Sequence, residues 1–220
     1  MLSFFISSNS FAYQFSYTKK QAKKIWADHR ESFYCGCTFD KHLSVHHASC
    51  SYTPIDKRRA KKIEWEHLVP VSWFGHHRSC WENAKYNKRD PRSHCEKIDP
   101  VFKIMLHDLH NLVPAIGEVN KARSNYGFTT LETKTLFNGC EITIDKNAKK
   151  VEPKDSIKGT IARVHLYMEQ TYGENEFRLS AKQREQYLDW HKRFPPSAWE
   201  KTWNKRVFNI QGKNNSFIDP

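Results

Sequence analysis

The stretch that decides the fold spans residues 63–70 and spells Ile63-Glu64-Trp65-Glu66-His67-Leu68-Val69-Pro70. Within Ile63–Val69, the residues Ile63, Trp65 and His67 alternate with Glu64 and Glu66, which predicts a β-strand over this segment. Regular strand geometry sends Glu66 and His67 to opposite faces, so both serve one site only where the strand bends or ends. Pro70 favours such an end.

Glu66 and His67 also carry useful chemistry. Carboxylate oxygens are ligands that hard divalent cations prefer, and a histidine can accept a proton near neutral pH. Basic residues directly upstream, and one further along the chain, would attract a polyanion. These candidate backbone contacts are Lys57, Arg58, Arg59, Lys61, Lys62 and Arg123. The combination predicts a metal-assisted nuclease site, with a solvated charged surface as the alternative for any single basic residue.

The chain carries a strong excess of positive charge. Its 220 residues include 36 Lys and Arg against 24 Asp and Glu, a formal net charge of +12. Such an imbalance favours an acidic partner, most commonly nucleic acid, over a role in solubility alone. The hydrophobic share of 38% supports a core, and no apolar run approaches the ~20 residues of a membrane-spanning helix. A single domain is expected over residues 13–220.

The cysteines and the N-terminus indicate export. An even number of cysteines favours disulfides in an oxidising compartment. The six are Cys35, Cys37, Cys50, Cys80, Cys95 and Cys140. The competing zinc site lacks the usual two-residue gap, because a single glycine separates the first two. Residues 1–12 end in Ser10-Phe11-Ala12, like the cleavage site of a signal peptide. The positive n-region is missing, so a partly trimmed leader and a frayed tail remain alternatives.

Helical periodicity is predicted for residues 17–32 and again from Asp99-Pro100 to Leu112. Pro114 ends the second pattern. A short helix after Ile116 then places Asn120 and Arg123 three residues apart on one side.

The C-terminal half combines further helices with little strand. Residues 142–144 are predicted as a strand, 146–158 as a loop and 160–172 as a helix. Capping boxes open two more helices at Ser180 and Ser197. Because helices outnumber strands, the predicted fold class is α+β.

Several blocks, in this order, resemble the bacterial endonuclease I family of exported, non-specific DNA and RNA nucleases. They are Glu64-Trp65-Glu66-His67, Phe74-Gly75-His76 with Cys80-Trp81, Asp108-Leu109-His110-Asn111-Leu112, and Pro114-Ala115-Ile116-Gly117-Glu118-Val119-Asn120 with Arg123-Ser124-Asn125. A weaker block runs from Gly159 to Arg163. The resemblance covers residues 34–210. It implies a ββα-metal nuclease core, decorated with helices and stapled by disulfides.

The resemblance implies roles by position. Glu66 and Asn120 would hold one Mg²⁺, with Mn²⁺ or Ca²⁺ as substitutes. His67 would be the general base, and Arg92 would steady the cleaved phosphate. The loop before Arg92 is longer than the family pattern, so Arg89 remains a rival for that role.

The resemblance also implies three disulfides and shows two departures. The implied pairs are Cys80–Cys95, Cys35–Cys140 and Cys37–Cys50. Leu106 stands where the family usually has a glutamate close to the metal-bound water. Lys201 stands where a cysteine of the family's last pair is expected, and that whole pair is absent.

The resemblance implies Mg²⁺-dependent hydrolysis of phosphodiester bonds in double- and single-stranded DNA, and in RNA, to 5′-phosphate products. Weak sequence specificity and steep salt dependence are expected, because phosphate contacts carry no sequence information. The protein is expected to be a periplasmic or secreted monomer without membrane contact. The alternative is a catalytically impaired, basic nucleic-acid-binding protein on the same fold, which Leu106 favours. A disulfide-stapled structural protein would bind no DNA in a salt-dependent way.

Overall fold

Helices and short strands alternate along the chain in the computed structural model, which describes residues 15–173 and 175–219. The leader predicted for residues 1–12 lies outside these ranges. The helices are α1 Phe15–Ile25, α2 Lys57–Ala60, α3 Val71–Gly75, α4 Ser79–Tyr86, α5 Pro91–Ile98, α6 Pro100–Leu106, α7 Gly117–Arg123, α8 Asp155–Tyr172, α9 Ala181–Arg193 and α10 Ala198–Gln211. The strands are β1 Ile63–His67, β2 Leu112–Ile116, β3 Gly127–Phe128, β4 Ile142–Asp145 and β5 Lys150–Pro153. This mixture confirms the α+β fold class.

A β–β–α unit carries the residues predicted for the site. β1 pairs antiparallel with β2, with Glu66 opposite Val113 and His67 opposite Leu112. α7, which contains Asn120, follows β2 directly, and α3 to α6 are inserted between the two strands. The unit therefore contains Glu66 and His67 on β1 and Asn120 on α7, which are the expected metal ligands and the expected base. The order strand, strand, helix is the one that the resemblance implied.

Strand β2 corrects the helix predicted up to Leu112. α6 ends at Leu106, a 3₁₀ helix spans Leu109–Asn111, and a fully buried strand then runs from Leu112 through Pro114. A short, completely buried apolar run does not distinguish strand from helix by periodicity. The carbonyl of Pro114 accepts from the Phe33 amide at 2.8 Å and therefore points away from β1. The backbone nitrogen of a strand residue points to the same side as its carbonyl. The missing N–H of Pro114 thus costs no hydrogen bond between β1 and β2.

Capping residues in the sequence predicted where helices start more accurately than periodicity predicted where they end. Asp99 caps α6 by accepting from the Phe102 amide at 2.9 Å, and Ser180 closes the expected capping box on α9. The helix predicted over residues 17–32 ends at Ile25, because the following chain forms bridges such as Glu31 with Thr38. The predicted loop at residues 146–158 contains β5 and the start of α8. β5 lies between β3 and β4 in a three-stranded sheet.

Disulfides and a buried helix fix the frame around the β–β–α unit. The bonds join Cys35 with Cys140, Cys37 with Cys50 and Cys80 with Cys95, which are the pairs that the resemblance implied. The last of these links α4 to α5, the helix that carries Arg92. α8 is buried along most of its length and is tied to α10 by an ion pair between Arg163 and Glu200. Within the described ranges, no helix has the length and hydropathy to cross a bilayer.

Candidate active site

Strand β1 ends at the predicted catalytic pair. The Leu68 amide donates to the Asn111 carbonyl at 3.1 Å, and the Val69 amide donates to Asn111 Oδ1 at 2.7 Å. The first bond continues the register of β1 and β2 by one position, the second goes to a side chain and ends the ladder, and the chain turns into α3 after Pro70. The expected strand end is therefore present at this point. The side chains of Glu66 and His67 still contact different neighbours, as the strand geometry requires.

His67 is held in one tautomer. Its side chain is buried, and Nε2 lies 2.9 Å from the carbonyl oxygen of Leu106. Because a carbonyl only accepts, Nε2 carries the proton and the neutral ring has its lone pair on Nδ1. Burial lowers the pKa of His67 to about 3, with a further contribution from the charge of Arg92. The ring is therefore neutral at physiological pH and can accept a proton at Nδ1.

Arg92 lies near His67 and has donor capacity to spare. The guanidinium Nη2 is buried and has no hydrogen-bond partner among the described residues. Its Cζ lies 4.5 Å from the centroid of the Phe15 ring. Burial lowers the pKa of Arg92, although an arginine remains charged at neutral pH. The rival Arg89 is exposed between α4 and α5, whereas the charge of Arg92 acts directly on His67.

Glu66 lies on the other face of β1 in a polar pocket. Its Oε1 accepts from the Tyr34 hydroxyl at 3.0 Å and from Arg123 Nη1 at 2.9 Å. Neither contact falls on Oε2, which leaves that oxygen as a ligand donor. Burial raises the pKa of Glu66, while Arg123 and Tyr34 oppose the rise. A buried carboxylate that is only partly compensated is stabilised by a nearby cation.

Arg123 does not occupy the surface position that a contact with nucleic acid requires. Its side chain is 1% exposed. Besides Glu66, the guanidinium donates to the backbone carbonyls of His67 at 2.9 Å and Leu68 at 2.5 Å. The expectation that Arg123 binds the nucleic-acid backbone is therefore corrected. Its donors hold the end of β1, and helical spacing alone could not show that α7 turns this side inward.

Asn120 contacts Glu64, the glutamate two residues before the expected metal ligand Glu66. Its Nδ2 donates to Oε2 of Glu64 at 3.1 Å. Glu64 and Glu66 share one face of β1, because they are two residues apart on a strand. The Asn120 side-chain oxygen thus remains available near this acidic face. The alternation in β1 predicted that Glu64 lies on the same face as Glu66. No local sequence pattern predicted that Tyr34 contacts Glu66.

The face of β1 that carries Glu64 and Glu66 offers oxygen ligands of the kind that a hard divalent cation prefers. It offers Oε2 of Glu66 and the amide oxygen of Asn120, and Mg²⁺ accepts few protein oxygens together with several waters. No cluster of three or more His, Cys, Asp or Glu side chains suited to a metal occurs within residues 15–173 and 175–219. Any ion on this face would therefore depend on a mixed carboxylate and amide set.

In the basic run upstream of β1, four residues are exposed and one forms an ion pair within the protein. Lys57, Arg58, Lys61 and Lys62 are exposed, and the first two lie on α2. Arg59 instead forms an ion pair with Glu64 and donates Nε to the Gly117 carbonyl at 3.1 Å. A Cβ on Gly117 would lie 2.7 Å from the Arg59 carbonyl oxygen, so only glycine permits this approach. Arg59 therefore joins α2 to α7 and β1 through two of its three guanidinium nitrogens.

The chain matches the family model for Endonuclease I over residues 6–220. It belongs to the endonuclease I family. An extracellular deoxyribonuclease of Aeromonas hydrophila is 39% identical over 214 residues, which cover 94% of this chain and 90% of the relative. A periplasmic deoxyribonuclease of the same organism is 37% identical, with 94% and 86% covered. Endonuclease-1 of Buchnera aphidicola subsp. Acyrthosiphon pisum (strain APS) is 38% identical, with 98% and 87% covered.

Membership of the endonuclease I family makes this protein an endonuclease, and nucleases of the family generally use a divalent metal ion. This member has Leu106 at the position where a glutamate was expected. The Leu106 side chain is completely buried, while its backbone carbonyl accepts from His67. Any residue would supply that carbonyl. The change at position 106 therefore removes a carboxylate without removing the bond that orients the base.

Proposed function

We propose that this endonuclease hydrolyses phosphodiester bonds of DNA, with His67 as the general base and Arg92 as the phosphate contact. One observation carries the proposal. The bond from His67 Nε2 to the Leu106 carbonyl leaves a neutral ring with a free lone pair, next to a guanidinium whose Nη2 has no partner within residues 15–173 and 175–219. Nδ1 of His67 accepts the proton of a water that attacks phosphorus. Arg92 donates to a non-bridging oxygen and offsets the negative charge that develops there.

The proposed cofactor is one Mg²⁺, with Mn²⁺ or Ca²⁺ as substitutes, held by Glu66 and Asn120. When bound, it would stabilise the charge on the phosphate and on the leaving 3′ oxygen, giving a 5′-phosphate product. Arg123 and Tyr34 keep the Glu66 carboxylate in place by donating to Oε1. The ion pair of Arg59 with Glu64 holds the side chain to which Asn120 donates.

The proposed substrates are double- and single-stranded DNA, and RNA, cut without sequence preference. Contacts with phosphate do not distinguish bases, and the exposed Lys and Arg side chains beside β1 are suited to contacts with the phosphate backbone. The protein is periplasmic or secreted, which agrees with the names of the relatives and with the disulfides. We propose a monomer with a single domain over residues 13–220.

A nicking assay tests the proposed function. Oxidised protein is incubated with supercoiled plasmid in Mg²⁺, in Mn²⁺ and in EDTA. Cleavage that requires the metal supports the nuclease. The second candidate, a binding protein that kept the fold, is favoured by the buried Leu106 side chain in place of a carboxylate. Gel retardation without cleavage, in Mg²⁺ and Mn²⁺ alike, would establish that candidate instead.

Arg92→Ala and Arg89→Ala should separate the two arginine assignments. Loss of one preorganised donor to a developing charge slows cleavage about 100-fold to 1,000-fold, so we expect that effect for Arg92→Ala. Arg89 is exposed and lies outside the site, so its removal should change the rate only by a small factor. Single-turnover cleavage of a labelled duplex measures both. Equal losses for the two variants, or a larger loss for Arg89→Ala, would contradict the assignment to Arg92.

The exposed basic residues before β1 should set the salt dependence of binding. We expect the combined change Lys57→Gln, Arg58→Gln, Lys61→Gln and Lys62→Gln to reduce the slope of log affinity against log salt by about 0.9 for each lost phosphate contact. Fluorescence anisotropy with duplex DNA in EDTA measures this slope. Lys146→Gln with Lys149→Gln removes exposed charges after β4 and serves as the control. A slope that falls equally in the control would mean that net charge, and not this surface, attracts DNA.

A further inference from the structure

The first turn of α1 lies directly against the candidate active site. The Phe15 ring stacks on the imidazole of His67, with 5.5 Å between ring centroids and an angle of 21° between the planes. Phe15 is half-buried at the start of the helix. The Phe15 ring therefore covers part of one face of the His67 ring. A stacked contact of this kind leaves the in-plane lone pair on Nδ1 of His67 free to accept a proton.

The same ring also contacts Arg92. The guanidinium carbon lies 4.5 Å from the ring centroid, which is the geometry of a cation–π contact. Nη2 of Arg92 is buried and finds no hydrogen-bond partner in the described part of the chain. Contact with the aromatic face of Phe15 thus restrains the position of the Arg92 guanidinium. One side chain from α1 touches both groups to which the proposed reaction assigns a role.

Polar contacts hold the turn in place. The Phe15 amide donates to Glu96 Oε1 at 3.1 Å, and His107 Nε2 donates to the same oxygen at 3.0 Å. Nδ1 of His107 then accepts from the Thr18 hydroxyl at 2.6 Å. The His107 ring also meets the Phe15 ring edge-on, with 5.8 Å between centroids. This chain of contacts from α1 to α5 and the end of α6 restrains the ring of Phe15.

We propose that Phe15 is a positioning residue for cleavage, which orients the Arg92 guanidinium beside the His67 ring before substrate binds. The inference rests on the proposed function, because it assumes the roles given there to both groups. An arginine has several rotatable bonds, and a group misplaced by about 1 Å can lose about 100-fold in rate. Supporting contacts of this kind hold functional groups in their productive geometry. Phe15 is not itself expected to touch the reacting atoms.

Phe15→Ala and Phe15→Tyr test the inference, with Phe208→Ala on the exposed side of α10 as the control. We expect Phe15→Ala to lower kcat by about 10-fold to 100-fold while KM, and the Kd for duplex DNA in EDTA, change little. Phe15→Tyr keeps the ring and should restore most of the rate. Phe208→Ala should resemble the wild type. Thermal unfolding of each variant establishes that the comparison is made on folded protein.

A double variant tests whether Phe15 acts through Arg92. In an Arg92→Ala background, Phe15→Ala should cause only a small further loss, because groups that act as a unit are not additive. The full loss in both backgrounds would overturn the inference. A Phe15→Ala protein that cleaves as fast as the wild type, or faster, would overturn it too, and a faster one would identify Phe15 as a cover over the site.

An NMR signature keeps this inference separate from the proposed function. The side-chain Nε–H proton of Arg92 should be shifted to high field by the Phe15 ring current, and the shift should vanish in Phe15→Ala but not in Phe15→Tyr. A shift that persists in Phe15→Ala would overturn the inference whatever the activity. Wild-type protein that does not cleave would instead defeat the proposed function, which the nicking assay shows without any variant.

Discussion

His67→Ala should abolish plasmid nicking, with a loss of about 10³-fold in the single-turnover rate, and should leave DNA binding nearly unchanged. General-base catalysis by a positioned side chain contributes about 10²-fold to 10⁴-fold. The His67 ring is oriented by the Leu106 carbonyl and kept neutral by burial, which lowers its pKa to about 3. Alanine offers no group that could accept a proton at that place.

Two controls make the His67 result interpretable. His42→Ala removes an exposed imidazole from the loop before β1 and should cleave like the wild type. Anisotropy in EDTA should give similar affinities for His67→Ala and wild type, because phosphate contacts supply most of the binding. A His67→Ala protein that keeps a tenth or more of the wild-type rate would contradict the role of general base, since the expected contribution is about 10²-fold or more.

Arg123→Ala should destabilise the protein by about 3–5 kcal/mol, because it leaves a buried carboxylate without its cation. Arg123 and Glu66 are both almost fully buried, and their ion pair measures 2.9 Å. The same guanidinium also satisfies the carbonyls of His67 and Leu68 at the end of β1. Urea unfolding in EDTA measures the free energy of unfolding without compensation from a divalent ion.

Adding Glu66→Gln to Arg123→Ala should recover part of the lost stability, because the neutral amide is no longer an uncompensated buried charge. Lys134→Ala is the control. Its ammonium is largely exposed and pairs with Glu152 at 3.1 Å, while Lys158 remains on the same carboxylate. We expect that change to cost less than about 1 kcal/mol. A loss as small as that for Arg123→Ala would show that water reaches the Glu66 carboxylate.

Hydrogen bonds hold the C-terminal segment that follows α10. Asn204 Oδ1 accepts from the Asn215 amide at 2.9 Å, and Asn204 Nδ2 donates to Asn214 Oδ1 at 2.8 Å. Asn215 is completely buried and also donates to the Arg163 carbonyl at 3.3 Å. Side chains of Asn204 and Asn215 thus attach the C-terminal segment to α10 and α8.

Local chemistry made parts of this protein predictable from sequence. Alternation within Ile63–Val69 predicted β1, and Pro70 indicated that the strand ends nearby. Capping residues predicted the starts of α6, α9 and α10, because these signals depend on neighbours within a few residues. The resemblance supplied the pairing of the cysteines, which spacing alone left open. It also supplied the order of the β–β–α unit.

Tertiary structure decided what no neighbouring residue encodes. The apolar run at Leu112–Ile116 became a strand because β1 pairs with it, and Pro114 was accommodated because Phe33 covers its free edge. Arg123 turned inward to Glu66, and Phe15 came to rest against His67 and Arg92. Sequence determined which residues could do chemistry. Packing between distant segments determined which of them meet, because burial and charge pairing depend on the whole fold.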